Sequence, residues 1–424
     1  MHVFWLVSMV LPQAAVACGL DSASDVSGGW LTGQLTALQQ HEELQLTVAC
    51  VDGRRRTALC GTADGITYRI LPGAEAFAPL LQELHPDLVH IWGTEYAAAA
   101  AMQQAAGALH LPVLAGIQGV MQDCAAHLCD GVPEQYRHST PLDRAVDRLI
   151  PGALLDKLQA NFDALAQSEA SLLGKARFVT GRTRFDRRAV EKLSPDARYF
   201  ACNETLRPLF YEGPLWQARH FDRAPVLLLS QGNYPLKNLH TVLRALPAIL
   251  QRWPDAELRI AGWPPLDKGP LLRPLIALLF PYQRFCRKLA AELDVAEHIR
   301  YTGPLDAAAM RQAYLDADLF ILPSLSENSP NSLGEAMLLG LPCVASRAGG
   351  IPDMMTDGRE GRLYGDALDA DALAQTVTEV LSAPDSGAAL GRAARVRALQ
   401  THDPAVNAQA LCGIYQTILQ EEVR

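Results

Sequence analysis

A chain of 424 residues with 49% hydrophobic and 20% charged residues has the balance of a globular protein and room for two domains. Its formal net charge of -9 argues against a nucleic-acid partner, because a polyanion reader carries a basic excess. Nine scattered cysteines, odd in number and without a CxxC pair, argue against a disulfide framework or a zinc site and fit a reducing cytosol.

Residues 1–18 are apolar and end in Ala-Val-Ala-Cys, a superficial match to a secretion signal. They lack a positive start, and Pro12 interrupts the run, so a buried first strand at 2–10 followed by a loop is expected. No stretch reaches the ~18–20 uninterrupted apolar residues that span a bilayer. Further strands are expected at 44–51, 67–71, 88–92, 112–117, 178–180 and 199–202, then at 226–230, 257–261, 299–302, 319–322 and 343–346. Helix-length segments separate them, which implies parallel βαβ units. The fold class is therefore α/β, with two Rossmann-like doubly wound domains at 1–207 and 222–402. Pro208, Gly213, Pro214 and Pro225 cluster at the seam, near 206–224. A last helix at about 404–422, within a terminal segment 403–424, has no strand after it and is free to cross back to the first domain.

The stretch that carries chemistry is 318–353, DLFILPSLSENSPNSLGEAMLLGLPCVASRAGGIPD. It predicts a strand at 319–322, a loop at 323–330, a helix at about 331–339 that Gly340 and Pro342 stop, and another strand. Ligands of such folds sit beyond the carboxyl ends of the strands. A helix starting near Asn331 would thus point free amides and the positive end of its dipole at a phosphate. The small polar residues Asn328, Ser329, Asn331 and Ser332 would let a diphosphate approach the backbone. Glu327 lies in the loop and Glu335 about one turn into the helix. Carboxylates accept hydrogen bonds from vicinal hydroxyls, so the pair suits a ligand with a sugar at each end of a diphosphate. A glycoside hydrolase also needs two carboxylates, but about 5–9.5 Å apart across one bond. Eight helical residues would span ~12 Å, which disfavours that reading.

These residues resemble the retaining GT-B glycosyltransferases of the family 4 type (glycosyl transferases group 1), which includes sucrose synthases and many bacterial surface-polysaccharide enzymes. The resemblance lies in Glu327, Glu335, Ala336, Met337, Gly340 and Pro342, with Gly349-Gly350 and Asp357-Gly358…Gly361 downstream. It is strong after Leu227 and loose before it. It implies a GT-B fold whose two domains face a central cleft, the acceptor on the first and the donor on the second. Glu327 would contact the donor sugar and Glu335 the ribose, while the backbone at Ser332 and Leu333 would hold the diphosphate. In LLLSQGNYPLKN, 227–238, Lys237 matches a phosphate-binding Lys; Gln231 stands where the family has Arg, and Asn238 where it has Gly. Asn233, Tyr234 or an Arg from elsewhere would then compensate for the missing cation. Leu305, in Tyr-Thr-Gly-Pro-Leu, would border the base, and Ser27-Gly28-Gly29-Trp30 would form the glycine turn facing the donor. Gln118 stands where many relatives carry a His near the reacting sugar.

Other features have plain structural readings. Asp316-Ala-Asp318 and Asp369-Ala-Asp371 match a metal-binding Asp-x-Asp, but both sit at helix boundaries where acids are common, and activity without a divalent cation is expected. Arg182, Arg184, Asp186, Asn203, Glu204 and Arg207 read equally as an interdomain salt-bridge cluster or an acceptor site. The stretch 271–289 reads as a buried helix pair broken at Pro281, with peripheral contact to an anionic membrane as the alternative.

The expected function is transfer of a sugar from a nucleotide diphosphate sugar, UDP or GDP, to a hydroxyl on a saccharide or lipid-linked acceptor. It implies no cofactor and no nucleic acid. The expected location is the cytoplasm, at the inner face of the membrane if associated with it, in polysaccharide or glycoconjugate biosynthesis. The rivals are a nucleotide-sugar 2-epimerase of the same fold, for which no extra acid/base pair stands out, and a donor-binding scaffold without turnover.

Overall fold

The computed structural model describes residues 1–21, 28–149, 154–218, 224–262 and 280–422. The chain divides into two units: 1–121, 164–207 and 402–424 form the first, and 122–163 with 208–401 the second.

The first unit is built on β1 (His2–Leu6), β2 (Gln45–Val51), β3 (Leu59–Ala63), β4 (Ile66–Leu71), β5 (Leu88–Trp92), β6 (Val113–Gly116), β7 (Phe178–Gly181) and β8 (Arg198–Ala201). They form one sheet in the order β3-β4-β2-β1-β5-β6-β7-β8, parallel except for the β3/β4 hairpin. β1 is central and its residues Val3 to Leu6 are buried, because helices cover both faces of such a sheet. It is shorter than expected and ends at Leu6; a helix, Pro12–Ala17, follows in place of a loop. Pro12 fits the first turn of that helix, where no amide partner is required. The C-terminal helix Pro404–Glu422 belongs to this unit, where its buried Tyr415 hydroxyl accepts from Trp5 Nε1 at 2.9 Å and meets His90 Nδ1 at 2.7 Å.

The second unit has six parallel strands: β9 (Val226–Leu229), β10 (Glu257–Ala261), β11 (Ile299–Gly303), β12 (Leu319–Leu322), β13 (Cys343–Ser346) and β14 (Arg362–Tyr364). Their order is β11-β10-β9-β12-β13-β14, the doubly wound arrangement. β9 and β12 are fully buried Val/Leu/Ile/Phe runs, and each such side chain contributes roughly 1.5–3 kcal/mol of burial.

Residues 122–163, expected in the first domain, group with the second unit. The reason is apolar: Val132 and Leu155 are buried in the same core as Leu227, Val242 and Phe285, and the Tyr136 and Phe285 rings stand 5.3 Å apart. A buried Asp143 carboxylate pairs with Arg284 at 2.9 Å in the same unit. Of the stretch 271–289, residues 271–279 lie outside the described residues. The rest begins a helix, Pro281–Glu292, whose Tyr282, Phe285 and Cys286 are buried in the core.

Candidate active site

In the second unit, successive strands leave β9 toward β10 on one side and resume at β12 on the other. The loops after β9 and β12 therefore spring from the point where strand order reverses, the place where open α/β sheets bind ligands. Local chemistry shapes both loops. After β9 a single turn, Pro235–Lys237, ends at Asn238, whose φ of 55° lies in the left-handed region. Asparagine tolerates that region better than most residues. Its side chain adds anchors: Nδ2 donates to Pro323 O at 2.9 Å and to Ala367 O at 2.6 Å, while Oδ1 accepts from Thr241 at 2.7 Å.

This turn delivers Lys237 to Glu327. Lys237 Nζ donates to Glu327 Oε1 at 2.5 Å, and Ser324 Oγ donates to the same oxygen at 2.9 Å. Burial works against the lysine's charge, but Glu327 outweighs it, and the Tyr234 hydroxyl adds to the effect; Lys237 is held above its ordinary range and stays cationic. The Tyr234 ring centroid lies 5.7 Å from Nζ, within cation–π range. Gln231 and Asn233, the neighbours expected on the donor, are exposed on the same loop.

The Glu327 backbone is clamped by the glycine pair downstream. Gly350 N donates to Glu327 O at 2.9 Å, and a Cβ on Gly349, φ 53°, would lie 2.0 Å from that same oxygen. Gly349→Ala should therefore push the Glu327 loop out of place. It should destabilise the protein by about 1–2 kcal/mol from the left-handed backbone alone, more with the clash, read as a lowered urea midpoint.

The helix expected after this loop is Asn331–Leu339, preceded by Pro330 and carrying no side-chain cap at its start. Gly340, φ 77°, ends it. Its first turn thus leaves amides available. Asn328 is buried, while Ser329, Asn331 and Ser332 are half-buried around that turn. Leu333 is wholly buried, so it can offer a ligand its backbone alone. Glu335 is 5% exposed, which rules out an ordinary surface helical glutamate. Leu305 is half-buried just after β11.

Three predicted residues lie in the first unit. Gly28, φ 78°, precedes the helix Gly29–Leu38; Ser27 lies outside the described residues. A Cβ on Gly29 would stand 2.5 Å from the Arg207 side chain, so a glycine is required there by its own unit. Gln118 is held by Arg182, whose guanidinium donates to Gln118 Oε1 at 3.1 Å, Gln118 O at 2.6 Å and Ile117 O at 3.2 Å. The same guanidinium pairs with Glu204, both side chains being about 5% exposed. The cluster expected to bridge domains is therefore, at this pair, internal to one unit.

Sequence reasoning passed over two buried acids near these loops. Glu169 accepts from Met121 N at 2.8 Å and Thr94 Oγ at 3.1 Å, tying the loops after β5 and β6. Burial pushes its carboxyl up to about 8, and also raises that of Glu95. Neither belongs to a recognisable spacing. In the two Asp-x-Asp matches, Asp318 Oδ2 accepts from Val226 N, and Asp369 caps the helix Ala370–Ser382.

Comparison with known proteins gives a family match and fold neighbours. The family model described as glycosyl transferases group 1 matches residues 225–383, which contain every strand of the second sheet. A GDP-mannose-dependent alpha-(1-6)-phosphatidylinositol monomannoside mannosyltransferase of Mycolicibacterium smegmatis is 34% identical over 185 residues, 42% of this chain and 44% of that protein. The match thus spans less than half of that relative's length. Over 99% of this chain, the structure resembles a sucrose-phosphate synthase of Thermosynechococcus elongatus, all of which it covers (TM-score 0.70, 16% identity). Anabaena HepE, solved with UDP-glucose, gives a TM-score of 0.63 at 15% identity, over 99% of both chains. The fold is GT-B. Its second unit carries the stretch that matches the glycosyl transferases group 1 model. Among the described residues, no helix is long and apolar enough to cross a membrane.

Proposed function

We propose that the protein is a retaining glycosyltransferase that moves a sugar from a nucleotide diphosphate donor to a hydroxyl acceptor. The observation that carries this reading is the Lys237–Glu327 pair beside the uncapped start of Asn331–Leu339, at the switch point of a group 1 glycosyl transferase domain. A diphosphate at the helix start would draw on its free amides and on Lys237, and a sugar hydroxyl would take the place of Lys237 on Glu327. In the reaction the bond from the sugar's anomeric carbon to the diphosphate oxygen breaks and one to the acceptor oxygen forms. The acceptor proton leaves toward the departing phosphate, whose charge the same groups stabilise. The acceptor role falls to the first unit, and no protein nucleophile is assigned.

Epimerisation is not favoured, since the matched family is one of transferases. The mannosyltransferase relative puts GDP-mannose first among donors to try and a lipid-linked saccharide first among acceptors. Peripheral membrane contact fits such an acceptor.

The test is a panel of UDP-, GDP- and ADP-sugars. One of them should raise the melting temperature and be slowly hydrolysed to the free nucleoside diphosphate. A shift without any turnover would leave a donor-binding scaffold, and neither effect with any donor would overturn the reading. Within the site, Glu335→Gln should keep the fold and weaken donor binding about tenfold or more, the worth of a hydrogen bond to a charged group. Unchanged affinity by calorimetry would remove Glu335 from the ribose.

A further inference from the structure

The loop that presents Glu327 has a further anchor, and it comes from early in the chain. Ser326, directly before Glu327, is 2% exposed. Its hydroxyl donates to Asp123 Oδ2 at 2.5 Å and lies 3.6 Å from the buried Cys124 Sγ. Asp123 sits on the helix Met121–His127, in the segment 122–163 that packs into the second unit. Further anchors of the loop come from the second half of the chain. Ser324 O accepts from Ser346 Oγ at 2.7 Å, Leu325 N donates to Leu236 O at 2.9 Å, and Glu327 O accepts from Gly350 N.

Asp123 has a second polar neighbour on its own helix. His127 Nε2 stands 3.7 Å from its other carboxylate oxygen, and His127 Nδ1 meets Asp130 at 2.7 Å. Asp123 and His127 lie one turn apart on the helix Met121–His127, and Asp130 follows in the turn after it. A charge-assisted hydrogen bond to a buried hydroxyl is short, directional and stronger than a neutral one. It fixes the Ser326 side chain, and with it the direction in which the next residue leaves the backbone.

Resting on the donor-site reading above, we propose that Asp123 is a positioning residue for donor binding: through Ser326 it holds Glu327 where the donor sugar is read. The bond from Asp123 to this loop is made to Ser326, so its effect on Glu327 passes through that hydroxyl. Because Glu327 is assigned to the sugar and the helix start to the diphosphate, loss of Asp123 should be felt in the sugar and not in the nucleotide. A residue that only stabilised the fold would affect both.

The experiment measures, by calorimetry on the full chain, the affinity for GDP-mannose and UDP-glucose, each against GDP or UDP alone. Asp123→Ala should weaken the bound nucleotide sugar roughly tenfold and the bare nucleotide less than about twofold. Asp123→Asn keeps an acceptor for Ser326 and should recover affinity to within about threefold of the parent, which also covers the case in which the alanine variant folds poorly. Ser326→Ala should behave as Asp123→Ala does, and the double variant should be no worse than either. Equal losses for sugar nucleotide and bare nucleotide, or no loss in Asp123→Ala, would overturn the inference alone. A parent protein that binds none of these ligands would overturn the donor-site reading and this inference with it.

Discussion

Replacing Lys237 by glutamine should lower kcat by about a hundredfold while changing donor affinity far less. The lysine does different work at each stage of the reaction. It is paired with Glu327 at 2.5 Å and held firmly cationic. As the anomeric bond breaks, negative charge grows on the departing diphosphate, and a fixed cation there is worth most when that charge is largest. Gln231, on the same loop, brings no charge of its own, so Lys237 is the cation this turn supplies. Glutamine is the informative substitute because its amide can still donate to the Glu327 carboxylate. Alanine would take the charge partner from that half-buried acid and mix a folding defect into the kinetics. Initial rates of nucleoside diphosphate release across donor concentration check the split. A variant with parental kcat and a raised KM would assign Lys237 to uniform binding instead.

Much of this site was legible in the sequence because its signals are local. The strand at 319–322, the helix 331–339 and its glycine stop are set by apolar runs, a proline and a φ-positive position, all readable in a ten-residue window. The Lys237 turn was found by family likeness, and the structure adds why asparagine can follow it. Other features were missed for distinct reasons. The β3/β4 hairpin turns at Asp64-Gly65, both with positive φ, a strong two-residue turn signal; its flanks, Leu-Cys-Gly-Thr-Ala before and Ile-Thr-Tyr after, do not both alternate clearly. β14 is three residues long, too short to show any period. The placement of 122–163 with the second unit is a matter of which apolar surface Val132 and Leu155 find, which no local pattern encodes. Asp123 and Ser326 meet across 203 residues and belong to no motif.

Arg182 offers the largest expected loss of stability. Its guanidinium and the Glu204 carboxylate are both almost wholly buried, and the same guanidinium satisfies the carbonyls of Ile117 and Gln118. Removing one partner of such a pair costs about 3–5 kcal/mol, because a charge is left in a site that cannot solvate it. Arg182→Met should therefore lower the urea midpoint sharply. The transition can be followed by tryptophan fluorescence, since Trp5, Trp30 and Trp92 form one ring cluster in the first unit. Adding Glu204→Leu should return part of the loss, since it removes the stranded carboxylate; the two freed carbonyls keep the recovery incomplete. A double variant less stable than Arg182→Met would mean that the pair is not what the arginine chiefly serves. The same variants bear on function. Three of the arginine's bonds hold the backbone and side chain of 117–118, so a loosened Gln118 should slow turnover even under conditions where the variant is fully folded. If Arg182→Met kept its turnover at a concentration of denaturant well below its midpoint, Gln118 would have no part in the chemistry that depends on its fixed position.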